Sequence, residues 1–149
     1  MKVIHQTMRT LVEISANKSE DALNIVRSSF SIKDSVFSDG LSDAIDVDFG
    51  EGVIETSQFN RPGNDAIDVS GSKVTLRDIS IVDAGDKGIS AGENSVVEAS
   101  NISVWNGNIA VASKDKSRVN LNVIKLANAA VGFSSLSEKI RIWPGVYFH

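Results

Sequence analysis

Six acids fall between Asp39 and Glu55 (Asp39, Asp43, Asp46, Asp48, Glu51 and Glu55), with no Lys or Arg among them, and Asp65 and Asp68 follow. Carboxylates gathered this densely have three uses. They can form a hydrated face or accept hydrogen bonds from turn backbone. They can hold a hard cation such as Ca2+, with carbonyls as further oxygen ligands. A pair about 5 Å apart can act on a glycosidic bond, one group as nucleophile and the other as acid. The spacing Asp46, Asp48, Gly50 superficially resembles the start of an EF-hand, but the loop glycine and terminal Glu are misplaced, so a cation would sit on a surface instead. Which use is open depends on which acids are neighbours in space.

A fixed period supplies the neighbours. Stepping by 22 from Ala22 gives Ala44, Ala66, Gly88, Ala110 and Gly132, all small. The next residue of each coil is Leu23, Ile45, Ile67, Ile89, Val111 and Phe133, all apolar. Within a coil the period is two: Ile67 and Val69 alternate with Asp68, Val74 and Leu76 with Thr75, Ile79 and Ile81 with Ser80. Ser70-Gly71-Ser72, Arg77-Asp78 and the stretch from Asp83 to Asp86 supply turns between them. Three short strands fill 22 residues and leave no room for a helix, so leucine-rich and ankyrin patterns fit poorly. One coil cannot bury its own inward side chains, but stacked coils place like residue over like at about 4.8 Å. Phe37, Phe59 and Ile81 share such a column, and Ser35 and Ser57 a small polar one. In the fourth and fifth coils Val97, Ala99, Ile102 and Val104 match Val119, Leu121, Ile124 and Leu126, one residue late. This predicts one extra residue in the turn after the first strand and one fewer in the turn that closes the coil.

The expected fold is therefore all-β: a right-handed, single-stranded parallel β-helix of about six 22-residue coils, three short strands each. Residues 20–135 are the repeats, 1–19 an N-terminal cap or partial coil, and 136–149 a C-terminal cap segment. Ile4, Met8 and Leu11 have helical spacing, whereas Val12 and Ile14 fit the last strand of a partial coil. Ile140, Ile142, Trp143, Tyr147 and Phe148 can cover the last coil or meet a second copy, and self-association through an end of so short a stack is expected.

The period makes Asp46 and Asp68 outward neighbours on successive coils, with Asn24 below and Ser90 above. Asp43 and Asp65 form a second column between Asp21 and Lys87, and Asp48 shares the face of Asp46. Like charges this close repel unless water, a proton or a cation relieves them. The candidate catalytic pair is Asp46 and Asp68. A Ca2+ site would use Asp46, Asp48 and Asp68, and ligand contacts would fall on Asp43, Asp48, Asp65, Lys87 and Trp105. Lys87 is the one cation in register with the acids, where neutralising Asp65 is its simplest role. Trp105, at a turn, is either a corner-packing residue or a platform for a sugar ring.

The stretches SDAIDVDFGEGVIETSQF, NDAIDVSGSKVTLRDISI, DKGISAGENSVV and NIAVASKDKSRV resemble parallel β-helix repeats of the pectate-lyase-like superfamily, and more closely the repeat regions of bacterial surface proteins that carry a CotH-type kinase domain. The resemblance covers roughly residues 20 to 135 and implies an extracellular or cell-surface setting and polysaccharide chemistry. Superfamily enzymes acting on acidic polysaccharides use Asp residues on adjacent coils. Lyases among them also need a basic residue, and polygalacturonases a Gly-His-Gly-type loop and an Arg-x-Lys segment. Here the two His residues, His5 and His149, sit at the termini, and Gly85-Asp86-Lys87-Gly88 carries no His.

The absence of Cys excludes disulfides, thiolate metal sites and a Cys nucleophile. A net charge of -4 argues against general nucleic-acid binding. No stretch approaches the roughly 20 apolar residues of a membrane helix, and the N-terminus lacks a signal-peptide pattern, so a soluble chain is expected. No phosphate-binding glycine loop or His-rich metal pattern is present. Charge is uneven along the stack. Lys114, Lys116, Arg118, Lys125, Lys139 and Arg141 make the late coils basic, suited to head-to-tail contact or an anionic glycan. The leading expectation is a non-catalytic scaffold or binding module for a polysaccharide or cell-surface partner. The alternative is a polysaccharide lyase or glycoside hydrolase.

Overall fold

The structure is a computed structural model that describes residues 13–15, 20–135, 139–143 and 146–148. Its elements are strands: β1 (Glu13–Ser15), β2 (Leu23–Val26), β3 (Ser29–Lys33), β4 (Val36–Ser38), β5 (Ile45–Asp48), β6 (Glu51–Asn60), β7 (Ile67–Ser70), β8 (Lys73–Gly92), β9 (Val96–Ser113), β10 (Arg118–Ser135), β11 (Lys139–Ile142) and β12 (Val146–Phe148). Every pairing among them is parallel. Parallel neighbours need long crossovers, and here each crossover is the rest of the coil. The result is a β-solenoid with three faces.

The first face stacks β2, β5, β7 and the last residues of β8, β9 and β10. The second stacks β3, the starts of β6, β8, β9 and β10, and β11. The third stacks β1, β4, the middle parts of the long strands, and β12. Alternation turns every second column of each face inward. Leu23, Ile45, Ile67, Ile89 and Val111 meet Ile32, Ile54, Leu76 and Leu121 and the third-face column of Phe37, Phe59, Ile81, Val104 and Leu126, all buried. The rings of Phe37 and Phe59 stack at 5.1 Å, 4° from coplanar.

Left-handed residues turn the corners, in register. The first corner has Arg27, Phe49 and Gly71, the second Asp34, Thr56, Asp78, Asn101 and Val123, the third Asp39, Arg61, Asp83, Asn106 and Asn128. Asp and Asn visit this region readily. Arg27, Phe49 and Val123 hold it at a cost of about 1–2 kcal/mol each, which the stacked ladders override. Gly71 is required at its corner, because its φ is 60° and the Phe49 ring lies 2.6 Å from where a Cβ would stand. On the second face, Gly52 makes room for the ring of Phe30 below it.

The register slip falls where the repeat placed it. The first corner of the fourth coil has two left-handed residues, Glu93 and Asn94, and Lys73 pairs with Val96 instead of a residue 22 away. The offset closes between Ala84 and Lys87, which pair with Gly107 and Ile109. At the N-terminal end, β1 pairs with β4 through Ile14 and Phe37, as a strand of a partial coil. The helical reading of Ile4, Met8 and Leu11 lies outside the described residues. At the other end, the part of 136–149 that is described continues the stack: β11 and β12 add rungs to β10, with Ile140 next to Val119 and Ile142 next to Leu121.

Candidate functional site

The acids of the early coils lie on the first face and the turn leading into it. β5 and β7 pair Asp46 with Asp68, β2 brings Asn24 beside Asp46, and β8 brings Ser90 beside Asp68. Each stands between inward neighbours, so the column points out of the coil. Asn24 Nδ2 donates to Asp46 Oδ2 at 3.2 Å, and Asp68 Oδ1 accepts the N–H of Val69 at 2.9 Å. Ser90, beyond Asp68, is 0% exposed, and its Oγ finds no hydrogen-bond partner; nor does Asn24 Oδ1. Polar groups buried in this way cost about 1–3 kcal/mol each, so this column is less relaxed than the ladders around it.

Burial, followed by the charges of Asp48 and Asp68, pushes the Asp46 carboxyl from about 3.8 up to about 7. A carboxyl raised in the fold is stabilising while protonated. That contribution is complete below about pH 4 and is lost as pH rises through about 7. Asp46→Asn keeps the acceptor for Asn24 and removes the charge. It is expected to raise stability at pH 8 by about 1–2 kcal/mol after allowance for screening at a half-buried group, with no gain near pH 4. Melting curves of the two proteins across this range test it. A gain independent of pH would show that burial of the charge is not the cause.

The second acidic column has a structural task. Asp43 Oδ1 accepts the N–H of Asp65 at 2.8 Å and the Asn64 amide at 2.8 Å. One coil on, Asp65 Oδ1 accepts the N–H of Lys87 at 3.0 Å and lies 3.4 Å from its Nζ. Lys87 also pairs with Asp86. Asp65 is 2% exposed, and burial pushes it up to about 6 although Lys87 opposes the shift. Burial also raises Asp43, against its two hydrogen bonds. The turn-capping use of these acids is thus the one the structure displays, and Lys87 is the counterion of Asp65. Asn64 and Asp86, one residue earlier in each coil, join this network from the adjacent column. Neither was legible from the repeat, because Asn64 has Ser42 as its equivalent and Asp86 falls where the register slips.

Asp48 lies beside Val26 and Ser70, two residues beyond Asp46 on the same face. Among the described residues no three His, Asp or Glu side chains gather into a group that could hold a metal ion, so Ca2+ at Asp46, Asp48 and Asp68 has no three-carboxylate cluster to rest on. Trp105 ends a third-face rung between Val82 and Ala127, next to the corner at Asn106, and is 40% exposed. It lies off the first face, so the structure does not join it to the acids. Among the described residues no helix is long and apolar enough to cross a membrane.

The family model described as "Right handed beta helix region" matches residues 21–142. Comparison with curated proteins and with solved structures gives no match.

Proposed function

The chain belongs to the right-handed β-helix family, and on that premise we propose that it is a non-catalytic β-helix module that binds a polysaccharide or a cell-surface partner. The observation that carries the reading is the way outward side chains are tied from coil to coil. Arg61 reaches Asp39 through two hydrogen bonds of 2.7 and 3.1 Å, and Arg77 reaches Glu55 at 2.8 Å. Asn101 donates to Asp78 at 2.6 Å, Asn106 to Asp83 at 2.7 Å and Asn120 to Glu98 at 2.6 Å. Single exposed pairs of this kind contribute little to stability. Repeated along the stack, they hold a polar surface in one arrangement, which lowers the ordering cost of binding a repetitive partner. The resemblance to repeats of CotH-type surface proteins supports a partner at a cell surface.

Native electrophoresis through gels containing neutral or acidic polysaccharides, with parallel assays for new reducing and unsaturated ends, tests the reading. Retardation without turnover is expected. Efficient cleavage of a uronate polymer, or no retardation by any polysaccharide or cell-wall fraction, would sink it.

A hydrolase or lyase is the second reading, and one observation favours it: Asp46 titrates near neutrality beside Asp68, as an acid paired with a carboxylate would. In that case Asp46→Asn and Asp68→Asn each abolish turnover, and activity surviving both variants would place the chemistry elsewhere.

The binding module is also proposed to self-associate through the late end of the stack. Ile142 occupies the core column beyond Leu121 yet is 43% exposed. Sedimentation should show an oligomer at high concentration that Ile142→Lys weakens more than Lys114→Ala does. A single 15.9 kDa species would contradict it.

A further inference from the structure

A groove of about 340 Å3 crosses the second face over the late coils, away from the acids of the first face. Strand alternation sets Thr75, Glu98 and Asn120 in one outward column, with Arg77 and Asn122 in the next. Arg141 pairs with Asn120, and Trp143 donates its backbone N–H to the Leu121 carbonyl at 2.9 Å, so Trp143 stands one coil beyond Asn122. Its indole is 61% exposed and walls the end of the groove.

The chemistry of the lining is specific. Glu98 accepts from the Asn120 amide at 2.6 Å, and Arg77 is held by Glu55 at 2.8 Å, so the one acid and one base of the lining are both engaged. What remains is hydroxyl and amide groups, which donate and accept at once, beside one large aromatic face. Sugar rings present the matching surfaces: hydroxyls around the rim and a C–H face that lies against an indole. A polyanion would need unpaired cations along its length; the lining's one cation, Arg77, is paired with Glu55, and Arg141 flanks only the end of the groove. The columns repeat at about 4.8 Å along the stack, so an extended chain meets similar partners on successive coils. We infer that this groove binds a neutral, hydroxyl-rich glycan chain, with one sugar ring stacked on Trp143; this rests on the binding-module reading above and gives it a contact surface on the second face.

The two tryptophans of the chain, Trp105 and Trp143, make the site directly observable. In Trp105→Phe, Trp143 is the sole indole. Titration of that variant with galactomannan and xyloglucan hexasaccharides should shift its emission to the blue and shield it from acrylamide, equally at low and high salt. Trp143→Ala should weaken binding about tenfold or more, as loss of a central aromatic contact does, and Asn122→Ala should weaken it less. Both should keep the melting temperature of the parent, and Asp46→Asn should bind unchanged. If neutral glycans bind but Trp143→Ala has no effect, or Asp46→Asn removes the binding, the groove is overturned while the binding module stands. Binding of oligogalacturonate alone, lost at high salt, overturns the neutral ligand. If no glycan of either charge binds, both inferences fail.

Discussion

Ile67→Asp is expected to unfold the protein, while Asp68→Ser, one residue along, leaves its melting temperature within a few degrees of the parent. Ile67 is fully buried between Ile45 and Ile89 in the inward column of the first face. An unpaired carboxylate there has no donor to meet it, and breaking charge balance in a buried site costs on the order of 3–5 kcal/mol. The loss of the Ile side chain adds to this, against a total domain stability of about 5–15 kcal/mol. The position also matters because each coil contacts only its neighbours, so a lesion in a middle coil severs the stack into parts too short to bury their own cores. Asp68 points outward, and its one modest hydrogen bond, from the N–H of Val69, is one a Ser hydroxyl can replace. Removing its charge also relieves Asp46. Comparable losses in the two variants would mean that the inward and outward sides of β7 are exchanged.

Phe59→Ala should cost about 3–5 kcal/mol in chemical denaturation, the range for truncating a buried aromatic ring. Phe59 is fully buried and stacked on Phe37, so the substitution opens a cavity and takes away the ring's partner. Neighbouring coils are tied to one another by continuous strand ladders and cannot close inward to fill the gap. Phe49→Ala is the comparison, because that ring is 54% exposed and contacts Arg27 at 5.5 Å and the corner at Gly71. Its removal should cost much less, in keeping with a half-solvated side chain. If Phe49→Ala were the more destabilising of the two, the third-face column would not be part of the core.

The coil architecture was legible because stacking gives residues 22 apart the same environment, and selection for a small or apolar side chain then recurs at the same step. Ala44, Ala66 and Ala110 are buried for one reason, as are Ile45, Ile67 and Ile89. The slip was legible from Val97 and Val119, since the alternation continues in phase after the extra corner residue. The same step made Asp46 and Asp68 neighbours and suggested the capping role of Asp43 and Asp65. Other features left no periodic trace. The buried ladder in which Gly50 donates to Ser72, Ser72 to Ser95 and Ser95 to Ser117 mixes a glycine with serines and steps once by 23. The gap at Gly52 is set by the shape of Phe30, which no period predicts. The groove escaped because its last rung is offset: Arg118 pairs with Lys139, only 21 residues on, so Trp143 falls out of step with Arg77 and Asn122. The unpaired Ser90 hydroxyl escaped for a different reason. Its neighbours were known from the repeat, but burial of an outward-pointing residue depends on side chains packed around it.

The register of the coils places every column named above, including both columns of the groove, and cross-linking tests it most directly. The chain has no cysteine, so an introduced pair reports without background. In the structure Thr75 and Glu98 are direct partners although they lie 23 residues apart. Adjacent strands separate Cα atoms by about 4.8 Å, within the span of a disulfide. Thr75→Cys with Glu98→Cys should therefore oxidise rapidly to an intramolecular disulfide in the folded protein. Thr75→Cys with Val97→Cys should not, because Val97 points into the core on the strand that Thr75 faces from outside. Faster bonding in the second pair than in the first would contradict the register.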